Sequence, residues 1–271
     1  MAAIICTYHR PKMLERCLRA LSAQTVPLDK LIVVDNGTDA DTRRLMAESF
    51  PQATHLVMGE NLGPAGGFAV GLRAAFEAGY EHLWLFNDDA TPAPVALALS
   101  LKARSLLGGR PGVTAHAPED PMGRGLRETE WFMFNGALID CEAVALIGYP
   151  REDFFMCWEE HDYCFRLNAK GIPIISIPGG YVDFGSAGTI EGATAPWRGY
   201  YQTRNELVSA LEARSVPRVV RWFVRTSKFS AATIISGDEK LSRLRFRLLG
   251  TWDALRRKMG RTVEPGTTGG S

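Results

Sequence analysis

The chain has 271 residues and a net charge of +1 at pH 7; 46% of its residues are hydrophobic and 23% are charged. This composition is typical of a globular protein that is long enough for one large α/β domain with an appendage. The five cysteines are odd in number and form no C-x-x-C pair, which argues against a disulfide framework or a zinc knuckle and favours a reducing, cytoplasmic setting. Because there is no signal-peptide pattern and no run of eighteen apolar residues, we expect neither secretion by that route nor a membrane-spanning segment.

Short β-branched runs alternate with helical patterns in the first half of the chain, which predicts a mostly parallel sheet built from β-α units. The predicted strands here are 2–6, 31–34, 53–58 and 82–86. Helices are predicted from Pro11 onward, over 68–78, and after Pro94 to about Leu107. The second half is less regular, with a strand predicted at 131–139, a helix at 159–170, a strand at 173–177, and helices from Pro196 on.

Polar residues follow the first two predicted strands. Thr7, Tyr8 and Arg10 come after strand 2–6, and Asp35 ends the next strand. In an open α/β sheet the ligand crevice lies at the carboxyl ends of the strands, where an aspartate suits hydrogen bonds to a base or ribose. The alternative is that Thr7 and Asp35 only cap the following helices, and for each residue alone the two interpretations are evenly matched.

A glycine-rich segment over residues 61–68 precedes the next helix. Its glycines allow backbone N–H groups to approach a diphosphate, and a helix starting near Ala65 adds its positive end. The segment lacks the Gly-Lys-Ser/Thr ending of a P-loop and does not follow the first strand, so nucleoside triphosphatases and nicotinamide oxidoreductases are both disfavoured.

Two adjacent carboxylates, Asp88 and Asp89, follow Asn87 at the end of strand 82–86. Their mutual repulsion is offset by a bound divalent cation that also touches a diphosphate, so metal binding is the favoured interpretation. The alternative is a solvated turn before Pro92.

Four titratable residues follow an aromatic run at 154–158, beginning with Glu159 and Glu160. A carboxylate beside apolar walls can have its pKa raised into the range of a general base. An acidic first helical turn is the alternative, and for Glu159 or Asp162 alone it is the favoured one.

Taken in order, these motifs resemble glycosyltransferase family 2 over about residues 2–210. The resemblance implies an α/β GT-A fold, a Rossmann-like nucleotide-binding mixed sheet flanked by helices, here with a helical C-terminal extension. The glycine-rich segment and residues 200–205 are most similar to the galactofuranosyl- and rhamnosyltransferase branch. It implies an inverting enzyme of cell-surface polysaccharide synthesis that uses Mn²⁺ or Mg²⁺, a UDP- or dTDP-linked donor, and a glycan or lipid-linked acceptor.

The resemblance also implies roles for individual residues. Glu160 matches the catalytic base, and Trp158 and Glu159 fall on the acceptor side. Asp88 and Asp89 match the metal motif, to which Asp183 is added. The donor-binding residues are Thr7, Tyr8, Arg10, Asp35, Asn61, Gly66, Gly67, Asn87 and Asp88.

Two positions depart from the family pattern. Asn87 stands where the metal motif commonly begins with Asp, and Asp183 lies in the loop that commonly supplies a His. An oxygen ligand still suits Mg²⁺ or Mn²⁺. These departures leave a second hypothesis open, a catalytically weakened homologue that binds nucleotide or glycan without turnover.

Residues 214–261 are strongly basic, with 13 Lys and Arg against 3 Asp and Glu, whereas residues 1–213 have 18 against 26. We therefore divide the chain into a GT-A catalytic domain at 1–213, a basic amphipathic helical segment at 214–261, and a flexible tail at 262–271. The basic segment predicts either two helices packed on the catalytic domain or peripheral attachment to an anionic membrane at the inner face of the cell membrane. Nucleic acid is not an expected partner, because the catalytic part is acidic and no nucleic-acid module is present.

Overall fold

The computed structural model describes residues 1–117, 125–184, 195–236 and 239–266. The chain forms two compact units. The first comprises Met1–Pro150 and Tyr163–Ala187, and the second comprises Arg151–Asp162 and Gly188–Ser271. The second compact unit therefore includes residues 196–212 together with the C-terminal helices. The domain boundary predicted after Ala213 is based instead on charge and motifs.

The first unit is built on an eight-stranded mixed sheet in the order β3-β2-β1-β4-β8-β6-β9-β7, with a separate two-stranded ribbon of β5 and β10. β1, β2, β3 and β4 are parallel, as the alternating sequence pattern predicts, and β8 joins β4 antiparallel. The strands are β1 Ala2–Thr7, β2 Lys30–Asp35, β3 Thr54–Val57, β4 His82–Asn87, β5 Thr91–Pro92, β6 Val113–His116, β7 Arg127–Thr129, β8 Ala137–Asp140, β9 Ile174–Ile177 and β10 Val182–Asp183.

Helices connect the strands, and three further helices follow them along the chain. Asp39 caps α2 by accepting a hydrogen bond from the Thr42 amide at 2.8 Å. The helices are α1 Pro11–Ser22, α2 Ala40–Ser49, α3 Gly63–Glu77, α4 Ala96–Arg104, α5 Cys141–Ile147, α6 Glu159–Ala169, α7 Pro196–Glu212, α8 Val216–Ser236 and α9 Lys240–Leu255.

The two faces of the sheet bury alternate residues of the same strand, as a pleated strand between two helical layers requires. Ile4 of β1 belongs to the core cluster that contains Phe68 and Leu72 of α3. Ile5, the next residue, belongs to the cluster that contains Leu14 and Leu18 of α1. Strand β1 is therefore buried on both faces, which explains its continuous apolar sequence.

The predicted strand at 131–139 is wrong for its first six residues, because β8 begins only at Ala137. Phe132 and Phe134 are buried core residues, which is why the segment is as apolar as a strand. Gly136 has φ +77°, which interrupts the extended backbone just before β8. Hydrophobicity alone does not distinguish an irregular buried segment of this kind from a strand.

The second unit contains α7, α8 and α9 and has its own small aromatic core. Gly250 of α9 lies so near α7 that a Cβ there would be 2.5 Å from the carbonyl oxygen of Tyr200. Trp222 of α8 donates an indole hydrogen bond to the carbonyl of Thr203 at 3.0 Å. No helix in the described ranges is long and apolar enough to span a bilayer. The core residues are Phe155, Tyr200, Tyr201, Phe246 and Val263.

Candidate active site

The ends of the adjacent strands β1 and β4 bring Thr7 and Asp88 together. Thr7 Oγ1 donates a hydrogen bond to Asp88 Oδ2 at 2.7 Å, and the Tyr8 amide also donates to this carboxylate. Asp88 itself is fully buried. The carboxylate is therefore held by groups from the neighbouring strand, which is the arrangement that parallel pairing of these strand ends predicts.

Arg10 faces both aspartates. Its Nη2 lies 3.0 Å from Asp88 Oδ1, and its Nη1 lies 3.4 Å from Asp89 Oδ2. Arg16 of α1 donates to the main-chain oxygen of Asp89 at 3.0 Å. Arg10 thus pairs with both carboxylates while Arg16 holds the main chain of Asp89, and the side chain of Arg10 remains 43% exposed.

Burial raises the pKa of Asp88 to about 6, although Arg10 and Thr7 act in the opposite direction. The negative charge of Asp89 contributes further to the increase. A cation bound next to such a buried carboxylate stabilises its charged form, because the cation replaces the interactions that water no longer provides.

Asp35 is fully buried at the end of β2, and both of its carboxylate oxygens have partners. Oδ1 accepts from the Gly37 amide at 2.9 Å, and Oδ2 lies 3.1 Å from His55 Nε2 on β3. His55 belongs to no motif, and its only signal in the sequence is its position on the strand next to β2. This imidazole orients the carboxylate that we predict to bind the nucleotide.

The glycine-rich segment forms the first turns of α3, and its glycines are buried. A Cβ on Gly67 would lie 2.9 Å from both Asn36 Nδ2 and Cys6 Sγ. Asn61 Oδ1 accepts from the Gly63 amide at 2.8 Å, which supports the turn that starts the helix. Gly67 thus lets α3 approach the sheet closely, and donor contacts of Asn61, Gly66 and Gly67 remain predictions.

Asp88 and Asp89 fit a hard divalent cation chemically. Within the described residues, Asp88 Oδ1 is buried and accepts no hydrogen bond, although it is ion-paired with Arg10. Asp183 pairs through its backbone with Thr91 in the β5–β10 ribbon. Across the described ranges, no group of three or more His, Cys, Asp or Glu residues is placed to hold a metal. Mg²⁺ is commonly bound by only one or two carboxylates together with substrate phosphates. The two aspartates therefore supply enough protein ligands of the right chemical type.

Glu159 and Glu160 occupy the first turn of α6, within the second unit. Burial, reinforced by the charge of Glu160, raises the pKa of Glu159 to about 8. In the described part of the chain, Glu159 Oε2 is buried and accepts no hydrogen bond. Glu159 is therefore mainly protonated at neutral pH, which its place in the sequence does not reveal.

Trp158 lies in a group of aromatic and charged side chains. Its ring is stacked on His161 with centroids 4.3 Å apart, and the Arg225 guanidinium lies 4.4 Å from its centre. Arg225 also forms an ion pair with buried Glu206 of α7. Burial raises the pKa of Glu206 to about 7, and burial with Arg225 lowers the pKa of His161 to about 4. Trp158 is thereby fixed in orientation, and its predicted acceptor role remains a prediction.

Residues 2–105 match the family model described as glycosyl transferase family 2. The chain is 31% identical over 201 residues to galactofuranosyltransferase GlfT1 of Mycolicibacterium smegmatis, an alignment that covers 64% of this chain and 67% of the relative. It is 33% identical over 198 residues to GlfT1 of Mycobacterium tuberculosis, covering 63% of this chain and 65% of the relative.

Solved structures with the same fold include the crystal structure of residues 1–349 of Staphylococcus aureus TarS, with a TM-score of 0.62 at 16% identity, covering 95% of this chain and 81% of that one. The same TarS fragment is also solved in complex with UDP and with UDP-GlcNAc. The mannosyltransferase PcManGT of Pyrobaculum calidifontis, in complex with GDP-Man and Mn²⁺, gives a TM-score of 0.58 at 16% identity, with 95% and 87% coverage. This similarity confirms the predicted GT-A fold.

Proposed function

This chain belongs to glycosyltransferase family 2 and is a glycosyltransferase, and we propose that it transfers a galactofuranose- or rhamnose-like sugar, with inversion, to a hydroxyl group of a glycan or lipid-linked acceptor. The observation that carries the proposal is the cluster of Thr7, Arg10, Asp88 and Asp89 at the ends of β1 and β4. The name of the GlfT1 relatives, galactofuranosyltransferase, supports galactofuranose as the sugar. We propose its UDP-linked form as the donor, and a dTDP-linked rhamnose donor is the next candidate to test.

On the donor side, Asp35, oriented by His55, accepts a hydrogen bond from the base or ribose of the nucleotide. Arg10, which is partly exposed beside the aspartates, supplies positive charge for the diphosphate. Asp88 and Asp89 would hold Mn²⁺ or Mg²⁺, which when bound stabilises the negative charge of the departing nucleoside diphosphate. Thr7 and the Tyr8 amide hold Asp88 in place for this role.

Glu160 acts as the general base. It takes the proton from the acceptor hydroxyl as the oxygen bonds to the anomeric carbon, while the bond from that carbon to the diphosphate breaks. Burial raises the pKa of Glu159 to about 8, so that it is mostly protonated at neutral pH, and we place it on the acceptor side of the site. The position of Glu160 as the second carboxylate after Trp158, which matches the catalytic base in the family pattern, is what supports Glu160 as the base.

Transfer assays with UDP-galactofuranose and dTDP-rhamnose, each with Mn²⁺ and with chelator, test the proposal. Glu160→Gln is expected to reduce kcat by roughly 10²–10⁴-fold while the donor Kd stays within about twofold. Glu142→Gln, at an exposed position in the first turn of α5, is the matched control and should behave as wild type. A loss below about tenfold for Glu160→Gln contradicts the base assignment.

A nucleotide- or glycan-binding homologue without turnover is the competing function. The departures of Asn87 and Asp183 from the family pattern favour it. In the same assays, such a protein binds donor with measurable affinity and gives neither transfer nor donor hydrolysis under any metal condition. That result would replace the enzymatic proposal with the binding one.

We also propose that the basic segment at 214–261 attaches the enzyme to an anionic membrane at the inner face of the cell membrane. Helix α8 carries an exposed apolar stripe at helical spacing, and Ile235 in it is 80% exposed. Helix α9 exposes a second stripe, in which Leu241 is 85% exposed. The stripes consist of Val216, Val220, Phe223, Val224, Ile234 and Ile235 on α8, and Leu241, Leu248, Trp252 and Leu255 on α9.

Exposed basic side chains accompany these stripes. An exposed apolar face bordered by cations is the pattern of a helix that lies in a lipid headgroup region, where each cation contributes about 1 kcal/mol of attraction to anionic lipid. A lipid-linked acceptor would be reached at the same surface. The exposed basic residues include Arg221, Lys228, Lys240, Arg245 and Arg256.

Sedimentation with vesicles tests the attachment. Binding is expected to vesicles containing phosphatidylglycerol, to weaken as salt rises, and to fall strongly for Phe223→Ser. Leu146→Ser, at a 55% exposed position in α5, is the matched control and should retain binding. Equal binding to neutral and anionic vesicles, or none to either, contradicts the proposal and returns the helices to a purely structural role.

A further inference from the structure

We infer that Arg204 and Asn205 of α7 are positioning residues that hold the loop at 154–158, and with it the carboxylate of Glu160, in the geometry needed for proton transfer. This inference rests on the proposed role of Glu160 as the base. It assigns a function to two side chains for which the sequence gave none.

The loop at 154–158 has an unusual backbone. Phe155, Cys157 and Trp158 have φ values of +64°, +62° and +74°. Residues other than glycine rarely adopt positive φ values of this kind. Three such residues within four positions persist only where the surroundings fix each of them. Glu159 follows immediately as the first residue of α6.

Asn205 supplies much of this constraint. Its Nδ2 lies 3.0 Å from the carbonyl oxygen of Phe154, 2.9 Å from that of Met156, and 2.8 Å from that of Cys157. The side chain is fully buried. This one amide group therefore lies within hydrogen-bonding distance of three carbonyl groups of the loop.

Arg204 holds Asn205 and extends the network. Its Nε donates to Asn205 Oδ1 at 2.9 Å, which orients the amide so that its NH₂ faces the loop. Its Nη2 donates to the Phe154 carbonyl at 3.1 Å. The guanidinium is fully buried and lies 5.0 Å from the centre of the Tyr201 ring. Arginine suits this task because its planar fork reaches several acceptors at once.

A C-terminal strap, defined here as residues 258–263, closes the network. Arg204 Nη1 donates to the Gly260 carbonyl at 2.8 Å, and the Gly260 amide donates to the Asp153 carbonyl at 2.7 Å. The Tyr201 hydroxyl donates to the Val263 carbonyl at 2.6 Å and accepts from the Val263 amide at 3.1 Å. The strap therefore touches both Arg204 and the residue just before the loop, and its last two residues belong to the segment that the sequence predicts to be a flexible tail.

Asn205→Asp is the decisive variant, because a carboxylate of the same size cannot donate to the three carbonyls. We expect kcat to fall by about 100-fold, the loss that a displacement of about 1 Å can cause, with the donor Kd within about threefold. The residual activity should keep the pH profile of the wild type, because Glu160 is still the base. Amide hydrogen exchange over residues 155–162 should accelerate at least tenfold.

Asn168→Asp is the matched control. Asn168 is an exposed amide that donates to the Glu130 carbonyl at 2.7 Å, so the substitution makes the same chemical change away from the loop. It should leave kcat within about twofold. Arg204→Lys and Tyr201→Phe are milder variants of the same network, and both should lower kcat and accelerate loop exchange less than Asn205→Asp.

The inference is overturned if folded Asn205→Asp keeps kcat within about threefold of wild type, or if its loop exchange is unchanged. If Asn205→Asp does not fold, Arg204→Lys decides by the same two measurements. If the wild type transfers no sugar from any donor, the proposed function fails, and the positioning role of these residues for catalysis fails with it. Hydrogen exchange then still reports separately whether they hold the loop.

Discussion

Replacing Glu159 with glutamine should make the protein more stable at neutral pH, by an amount that grows with pH. Burial and the charge of Glu160 raise the pKa of Glu159 from 4.5 to about 8 in the folded protein. Between those two values the unfolded chain releases the proton and the folded chain keeps it. The folded state thus binds more protons, so the free energy of unfolding decreases as pH rises.

The size of the effect follows from the interval between the two pKa values. Each pH unit within the interval changes the free energy of unfolding by about 1.4 kcal/mol, so the cost at pH 7 is on the order of 3 kcal/mol. Glutamine is neutral in both states and has nearly the same shape. The advantage of Glu159→Gln over wild type is therefore near zero below about pH 4, on the order of 3 kcal/mol at pH 7, and constant above about pH 9.

Urea unfolding followed by circular dichroism at pH 5, 6, 7 and 8 measures this difference. The raised pKa of Glu206 contributes to the pH dependence of both proteins and cancels in the comparison. Glu48→Gln removes a solvent-exposed carboxylate of α2 and should differ from wild type by the same small amount at pH 6 and pH 8. A Glu159→Gln advantage that stays constant with pH, or a variant less stable than wild type at pH 8, refutes the assignment of a protonated Glu159.

Asp89→Ala is expected to weaken both Mn²⁺ and donor binding by at least tenfold in titration calorimetry. The proposed metal site is excluded if neither this substitution nor chelator changes donor binding. Gly71→Ala should lower the free energy of unfolding by about 1–3 kcal/mol, because the new Cβ would lie 2.4 Å from Ile4 Cγ2 and 3.0 Å from Val34 Cγ2. Gly59→Ala is the matched control, because a Cβ at Gly59 meets no atom within 4 Å, and it should leave the free energy of unfolding nearly unchanged. Gly79→Ala is not a suitable control, because Gly79 has φ +80°.

The parallel half of the sheet was predictable because its signals are local. Strands β1, β2 and β4 are short apolar runs that each end in polar residues, and parallel pairing brings such ends to one edge. The contact between Thr7 and Asp88 follows from that pairing. The roles of these residues in donor and metal binding come from the resemblance to the family motifs, because their positions at the strand ends do not distinguish binding from helix capping.

The remainder depended on contacts between distant parts of the chain. The sequence does not show that Glu159 is buried, and burial is the main cause of its raised pKa. In the sequence, Gly67 indicates a phosphate-binding loop. In the structure it also lets α3 pack closely against β1, because a Cβ at this position would lie 2.9 Å from Cys6 Sγ. Arg204 lies in a motif with no evident chemistry, because its partners are main-chain oxygens, which a sequence pattern does not reveal.

The link between Gly260 and Asp153 joins points more than a hundred residues apart, which has a consequence for synthesis on the ribosome. At about 5–20 residues per second, the strands that carry Thr7 and Asp88 emerge several seconds before residues 258–263 are made. The surroundings of Glu159 and Glu160 are therefore completed only after residues 258–263 have been made. A nascent or prematurely terminated chain would present the nucleotide side of the enzyme before its acid–base side is assembled, so incomplete products would compete for donor without consuming it.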